Sequence, residues 1–177
     1  MSEQQERWVN YLAMSTAVMA VLAALTTLYV GKYSSRAVLM QGQESNQWAY
    51  YQAKSIKGHT YEIQKERLEL ELFAGGARLG KEVGERFGKT IADYGSQVQR
   101  YEAEKREIKA KAEELAKKKE IAQVMAGNFG YSLIFLQIGI MLSSVASLTK
   151  KRYLWHIGLA ACSGWVFFFL DAWFMFY

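Results

Sequence analysis

The sequence predicts an all-α membrane protein with three transmembrane helices and a long antiparallel coiled-coil hairpin between the first and the second. Three apolar runs, 8–30, 129–148 and 153–177, are the first observation behind this prediction. Each run is long enough to cross a bilayer, because about 20 helical residues span the hydrocarbon core. The second observation is the segment 32–125, which is strongly charged and, like the whole chain, contains no proline to interrupt a helix.

The first apolar run, from Trp8 to Val30, is predicted to be a retained membrane anchor. It is longer than the apolar region of a typical signal peptide, and Glu3 and Glu6 are unusual in the basic segment that begins such a peptide. We therefore count this run as the first transmembrane helix.

Charge is concentrated in the segment 32–125, which holds 18 of the 22 Lys and Arg residues and 14 of the 17 acidic residues. Basic and acidic side chains are intermixed there, as is typical of a solvated helical surface. A nucleic-acid site would cluster basic residues on one face with few acids among them. We therefore expect no nucleic-acid partner.

Two heptad patterns predict which faces of the hairpin pack together. The first seam consists of Ala49, Ala53, Ile56, Thr60, Ile63, Arg67, Leu70 and Ala74. The second consists of Ile91, Tyr94, Val98, Tyr101, Lys105, Ile108, Ala112, Leu115, Lys119 and Ala122. Two such helices pack most simply as an antiparallel hairpin that projects from the membrane. Arg67 and Lys105 either lay their stems along the seams or meet charges from another copy or another protein.

A four-residue repeat of Gly76, Gly80, Gly84 and Gly88 lies within the Gly-rich tip at 75–90. Glycines at this spacing form a groove of bare backbone on a helix, which permits close approach of a second helix. Each glycine also costs about 1 kcal/mol in a helix interior. The tip is therefore either a flexible connector or an oligomerisation site.

Small residues recur at four-residue spacing in the apolar runs. The pairs and triplets are Ala13 with Ala17, Ala20 with Ala24, Gly139 with Ser143 and Ser147, and Gly158 with Cys162. Small faces allow helices to approach closely in lipid. The spacing predicts helix contacts without deciding whether they form within one chain or between chains.

Two polar residues, Gln137 and Asp171, interrupt the second and third apolar runs. Asp171 either lies at headgroup level beside an aromatic belt, forms a helix–helix hydrogen bond, or lines an ion or proton path. We expect Gln137 to bind a neighbouring helix rather than a substrate.

The basic link at 149–152 predicts that this short loop and the N-terminus are cytoplasmic, with the hairpin on the other side. The basic residues 117–119 argue for the opposite orientation. Because long segments cross largely regardless of charge, the short loop carries more weight.

The stretch 45–57, SNQWAYYQAKSIK, resembles the signature of a bacterial membrane-protein family catalogued as domain of unknown function 4337. The order of an anchor, this motif, a charged helical region and two final apolar helices is also similar. The resemblance implies a bacterial membrane, which we take to be the inner membrane, and no established activity.

Aromatic and basic residues of this motif are candidates for partner binding: Trp48, Tyr50, Tyr51, Lys54 and Lys57. Aromatic rings flanked by lysines suit an anionic ligand, a lipid headgroup or an acidic partner helix. The alternative is packing within the hairpin, with Trp48 and Tyr51 covering the facing helix.

Neither a catalytic motif nor a metal-binding pattern is present, so we expect no enzyme activity and no cofactor. Cys162 is the single cysteine, and His59 and His156 are distant from it in the sequence. The sequence thus favours a membrane scaffold or accessory subunit that joins other copies or other subunits. The alternative function is an oligomeric channel or transporter component, with Asp171 supplying charge to a pathway.

Overall fold

The computed structural model describes residues 3–75 and 80–175, with side chains from residue 7 onward. These residues form three helices and no strand: α1 (Glu3–Gly75), α2 (Lys81–Thr149) and α3 (Arg152–Phe174). The all-α prediction is therefore confirmed for this part of the chain. By length and composition, all three helices could cross a membrane.

The chain divides into two compact units, which we call the bundle unit and the hairpin unit. The bundle unit combines the residues up to Leu39 with those from Lys118 onward, and the hairpin unit is Met40–Lys117. Tyr33 and Met125 belong to the core of the bundle unit, although both fall in the range 32–125 that the sequence assigns to the hairpin.

Phe129 of α2, which is fully buried, is the centre of an aromatic cluster in the bundle unit. Its ring stacks on those of Tyr29 and Tyr33, with centroid distances of 5.2 and 5.6 Å, and meets the edge of Phe169 at 5.3 Å. Such ring pairs contribute about 0.5–1.5 kcal/mol each beyond the area they bury. The cluster therefore ties α1, α2 and α3 together at one point.

Small residues permit a second close contact in the bundle unit. A Cβ atom on Gly139 would lie 3.0 Å from the carbonyl oxygen of Gly158 and 3.1 Å from Met19 Sδ. Helices α2 and α3 thus meet backbone to backbone, beside α1. The small-residue spacing at Gly139 and Gly158 is used here within one chain.

Lys150 and Lys151 form the link between α2 and α3. Lys150 adopts a left-handed backbone conformation, with φ at 59°, and Lys151 is extended. A left-handed residue just after a helix ends it and turns the chain. The third helix then runs antiparallel to the second, as the pairs Gly139 with Gly158 and Asn128 with Asp171 show.

In the hairpin unit, α1 and α2 pack antiparallel. Lys54 pairs with Glu104, and Gly58 faces Tyr101, so residue numbers rise on one helix as they fall on the other. This confirms the antiparallel pairing predicted from the sequence. Ion pairs within a helix, such as Arg86 with Glu82, add support on the solvated surface.

The structure shows that one of the two predicted seams is right and the other is wrong. Every position of the second seam is at least partly buried, whereas every position of the first is exposed. The packed face of α1 consists instead of Trp48, Tyr51, Lys54, Ser55, Gly58, Tyr61, Lys65, Leu68 and Leu72.

Ring packing explains why α1 presents this other face. A Cβ on Gly58 would lie 3.2 Å from Tyr101 Cβ, so the helices are close at this glycine. Tyr61 stacks on Tyr101 at 5.8 Å and lies beside Tyr94 at 5.4 Å. Aromatic rings and lysine stems cover more apolar area than alanines do. The seam was predicted from residue type alone. The face that packs in the structure is the one whose rings and lysine stems bury apolar area against α2.

Candidate functional site

The five candidate partner-binding residues of the 45–57 motif divide between two environments. Trp48, Tyr51 and Lys54 lie on the packed face of α1, and the rings of Trp48 and Tyr51 are in edge contact at 5.7 Å. Tyr50 and Lys57 are exposed. Three of the five therefore contribute to packing inside the hairpin unit, and two remain open to a partner.

Lys54 belongs to a compact charged cluster with Glu104 and Arg100. Lys54 Nζ lies 2.6 Å from Glu104 Oε2, and Arg100 Nε lies 2.9 Å from Glu104 Oε1. The Lys54 side chain is only 15% exposed, and its ammonium group lies over the rings of Tyr50 and Tyr101 at 5.3 Å from each centroid. The cluster fixes the register of α1 on α2, because one acid receives donors from both helices.

Hydrogen bonding shifts the pKa values of this cluster. The bond from Lys54, followed by the bond from Arg100, lowers the pKa of Glu104. The same bond to Glu104 is the main cause that raises the pKa of Lys54. Both shifts favour the charged forms, the carboxylate of Glu104 and the ammonium group of Lys54.

Two of the three basic residues in the predicted seams, Lys105 and Arg67, are paired with acids of the same helix. Lys105 donates to Glu102, which is the main cause that raises its pKa, and its ammonium group lies 5.8 Å from the centre of the Tyr51 ring. Arg67 is exposed and bonds Glu71 at 2.9 Å. Neither charge therefore needs a second chain to neutralise it.

Lys57 contributes to an open groove on the surface of the hairpin unit. The groove has a volume of about 520 Å³ and is lined by Lys57, Thr60, Tyr61, Gln64, Tyr94 and Tyr101. Its tyrosine and amide groups are suited to hydrogen bonding. Within residues 3–75 and 80–175, no group of three His, Cys, Asp or Glu side chains could hold a metal ion.

The first predicted seam forms an outward apolar stripe, which we call the outward seam: Ala49, Ala53, Ile56, Thr60, Ile63, Arg67, Leu70 and Ala74. Ile56, Ile63 and Leu70 are 68%, 53% and 69% exposed. Their heptad spacing is that of a helix face that packs on another helix. In the hairpin unit, α2 packs on the other face of α1, so the outward seam is open.

Three of the four tip glycines are described, and Gly76 lies outside the described residues. Gly80 precedes α2 and accepts hydrogen bonds from the backbone N–H groups of Val83 and Gly84. Gly84 and Gly88 lie within the first turns of α2, and a Cβ on any of the three would meet nothing within 4 Å. Gly84 and Gly88 are helical, and all three glycines have room beside them for another group to approach.

Asp171 of α3 is buried in the bundle unit, with 3% of its surface exposed. The amide nitrogen of Asn128 on α2 donates to its carboxylate at 2.7 Å. Of the three environments considered for Asp171, the structure shows a helix–helix hydrogen bond. Both residues line a pocket of about 400 Å³ walled by Val124, Tyr131, Phe167 and Phe168.

Sequence reasoning missed Asn128. The available signal was its position next to the apolar run that begins at Phe129, because two antiparallel helices joined by the short link at 149–152 bring Asn128 level with Asp171. Gln137, the other polar residue of the apolar runs, is exposed on α2.

Comparison with known proteins gives one match. Residues 8–175 match the profile of the family described as Domain of unknown function (DUF4337). No curated protein and no solved structure shows significant similarity to the chain. Because the match covers nearly the whole sequence, the chain belongs to the DUF4337 family.

Proposed function

We propose that this protein is a non-catalytic integral membrane scaffold or accessory subunit that assembles through the outward seam and through small-residue faces of its apolar helices. The outward seam is the observation that carries the proposal. Its partners would be other copies of the chain, subunits of a larger membrane complex, or both.

The outward seam has the properties of an interface that lacks its partner. Three large aliphatic side chains, Ile56, Ile63 and Leu70, repeat at heptad spacing and are each more than half exposed. Fully burying one such side chain contributes roughly 1.5–3 kcal/mol. Only their exposed fractions, 68%, 53% and 69%, remain to be buried. An association that covers all three would therefore gain about 3–6 kcal/mol per chain.

The proposed membrane location is supported by the surface of the bundle unit. Large apolar side chains such as Leu28, Met141 and Phe167 are at least 60% exposed there. Many exposed apolar side chains of this size are unfavourable in water and favourable in lipid. The location we propose is the bacterial inner membrane, with several spans and with the hairpin unit on the non-cytoplasmic side, as the basic link at 149–152 favours.

The test is the mass and composition of the intact particle. The full chain is purified from its native membrane in mild detergent, and the particle is compared with a variant carrying Ile56→Gln, Ile63→Gln and Leu70→Gln. A control variant carries Leu39→Gln and Ile121→Gln, which replace exposed apolar residues away from the seam. The seam variant should lose partners or copies, and the control should keep them.

Each result has a defined meaning. A particle with a fixed set of other proteins would support an accessory subunit, and a particle of this chain alone would support self-assembly. If the seam variant has the same particle mass and composition as the native chain, the outward seam is not the assembly surface.

The second candidate function is an oligomeric channel or transporter component. The observation that favours it is the buried Asp171 carboxylate at the pocket in the bundle unit. Acidic groups inside membrane helices often serve ion or proton movement. Purified protein in liposomes should then conduct ions, and Asp171→Asn should abolish the flux. Absence of flux with the native chain would eliminate this candidate.

A further inference from the structure

Gln137 lies near the middle of the apolar run 129–148, on the exposed side of α2. Its neighbours on that side are apolar: Ile134, Met141 and Leu148 are 50%, 64% and 84% exposed. An amide thus projects from the centre of a face that is otherwise suited to lipid. The following argument rests on the membrane location proposed above.

The amide of Gln137 differs from the hydroxyl groups of the apolar helices. Ser143 and Ser144 donate to carbonyl oxygens of their own helix, Gly139 and Ile140, at 2.8 and 2.9 Å. Among the side chains that the structure describes, none forms a hydrogen bond with the Gln137 amide. In hydrocarbon no water is available to bond it, so the amide requires a protein partner at the same depth.

We infer that the partner is Gln137 of a second copy of this chain. A carboxamide is self-complementary, because it carries both a donor and an acceptor. Two copies inserted in the same orientation hold Gln137 at the same depth, and a twofold axis brings the same surface of each together. A second copy therefore supplies both a complementary hydrogen-bonding group and the same depth in the membrane, without any further condition.

The surface around Gln137 allows the close approach that such a pair needs. Ser144 lies two turns further along the same face of α2 and lines a groove between α1 and α2. The groove has a volume of about 510 Å³, and its lining includes Ala13, Ala17, Ala20 and Ser147. Two turns before Gln137, a Cβ on Gly130 would meet nothing within 4 Å. Gly130 and Ser144 thus lie one heptad before and after Gln137, and small residues at such positions let two membrane helices approach closely.

Cysteine cross-linking in native membranes tests this contact while leaving Gln137 in place. Cys162 is first replaced by serine, and a cysteine is then introduced by Ser144→Cys. The matched control is Val145→Cys, which is exposed but lies about 100° further around the helix. Oxidation should link two copies through position 144 and leave position 145 largely unlinked, because a disulfide requires Cα atoms within about 7 Å.

Replacing the amide tests its energetic role. Gln137→Leu should weaken association of the full-length protein about tenfold in a labelled-subunit exchange assay in vesicles, and should lower the Ser144→Cys cross-link yield. Gln137→Asn should restore part of the association. A double variant, Gln137→Leu with Ile138→Gln, moves the amide to a neighbouring face and should remain weak.

The outcomes separate this inference from the proposed function. If the protein resists extraction from the membrane but positions 144 and 145 cross-link equally, or Gln137→Leu associates as tightly as the native chain, the Gln137 contact is refuted and the membrane location stands. If alkaline extraction releases the native protein from the membrane, the proposed location fails, and this inference fails with it.

Discussion

Replacing Gly164 with alanine tests the packing of α3 against α2 in the bundle unit. The added methyl group would lie 2.6 Å from Phe135 Cδ1 and 2.7 Å from Cε1. Both distances are far shorter than van der Waals contact. The Phe135 ring stacks on Phe168, with centroids 5.6 Å apart and planes at 17°, so it cannot rotate without losing that contact.

The expected loss of stability follows from three contributions. Inserting a methyl group into a well-packed site costs about 1–3 kcal/mol. Disturbing the stacked rings costs up to about 1 kcal/mol more, and the better helix propensity of alanine offsets about 1 kcal/mol. The sum is a fall of about 0–3 kcal/mol in the free energy of unfolding, and the very short contact to Phe135 favours the upper part of that range.

Thermal unfolding of the full chain in mild detergent, followed by circular dichroism, measures this change. Gly127→Ala is the matched control, because a Cβ on Gly127 would meet nothing within 4 Å. Only the gain in helix propensity then remains, and the control should be as stable as the native chain or slightly more so. Equal stability of the two variants would show that α3 does not pack on α2 as described.

Three further predictions concern single interactions, and each is checked by thermal unfolding. The charged cluster should stabilise the fold above about pH 4.5, the ordinary pKa of Glu104, and this stabilisation should be lost as the pH falls through the lower pKa that Glu104 has in the folded chain. Glu104→Gln should remove this part of the pH dependence of stability. If the variant has the same pH profile of stability as the native chain, the prediction is wrong. Leu68→Gln, on the packed face of α1, should lower the free energy of unfolding by roughly 1 kcal/mol, whereas Ile56→Gln should leave it nearly unchanged. If Ile56→Gln is the more destabilising of the two, the outward seam is packed inside the hairpin. Asn128→Ala should cost about 1–3 kcal/mol, because it removes a hydrogen bond to the buried Asp171; native-like stability would mean that this bond contributes little.

The fold class was accessible from the sequence because its main signals are local. Apolar runs of sufficient length predict long helices whatever they pack against, and heptad spacing in the second seam identified the packed face of α2. The Gly139 and Gly158 spacing also predicted close helix contact. Local patterns could not show which helix face packs against which other face.

The first seam shows this limit clearly. Ile56 and Ile63 have the spacing of a buried seam, yet the structure leaves them exposed, because α1 packs through Gly58 and Tyr61 instead. Counting apolar residues at heptad positions favours the face of α1 that carries Ile56 and Ile63. Which face of α1 packs depends on how it fits around Tyr101 of α2. That fit can be judged only when the register of the two helices is known.

The sequence by itself determined that this protein is helical, that most of its charge lies in the middle of the chain, and that three stretches could cross a bilayer. Those properties depend on composition and spacing along one helix. The tertiary structure decided which side of α1 is covered, that Asn128 meets Asp171, and that Gln137 faces outward. These depend on contacts between residues far apart in sequence, because packing selects faces by how their shapes and hydrogen-bonding groups fit together.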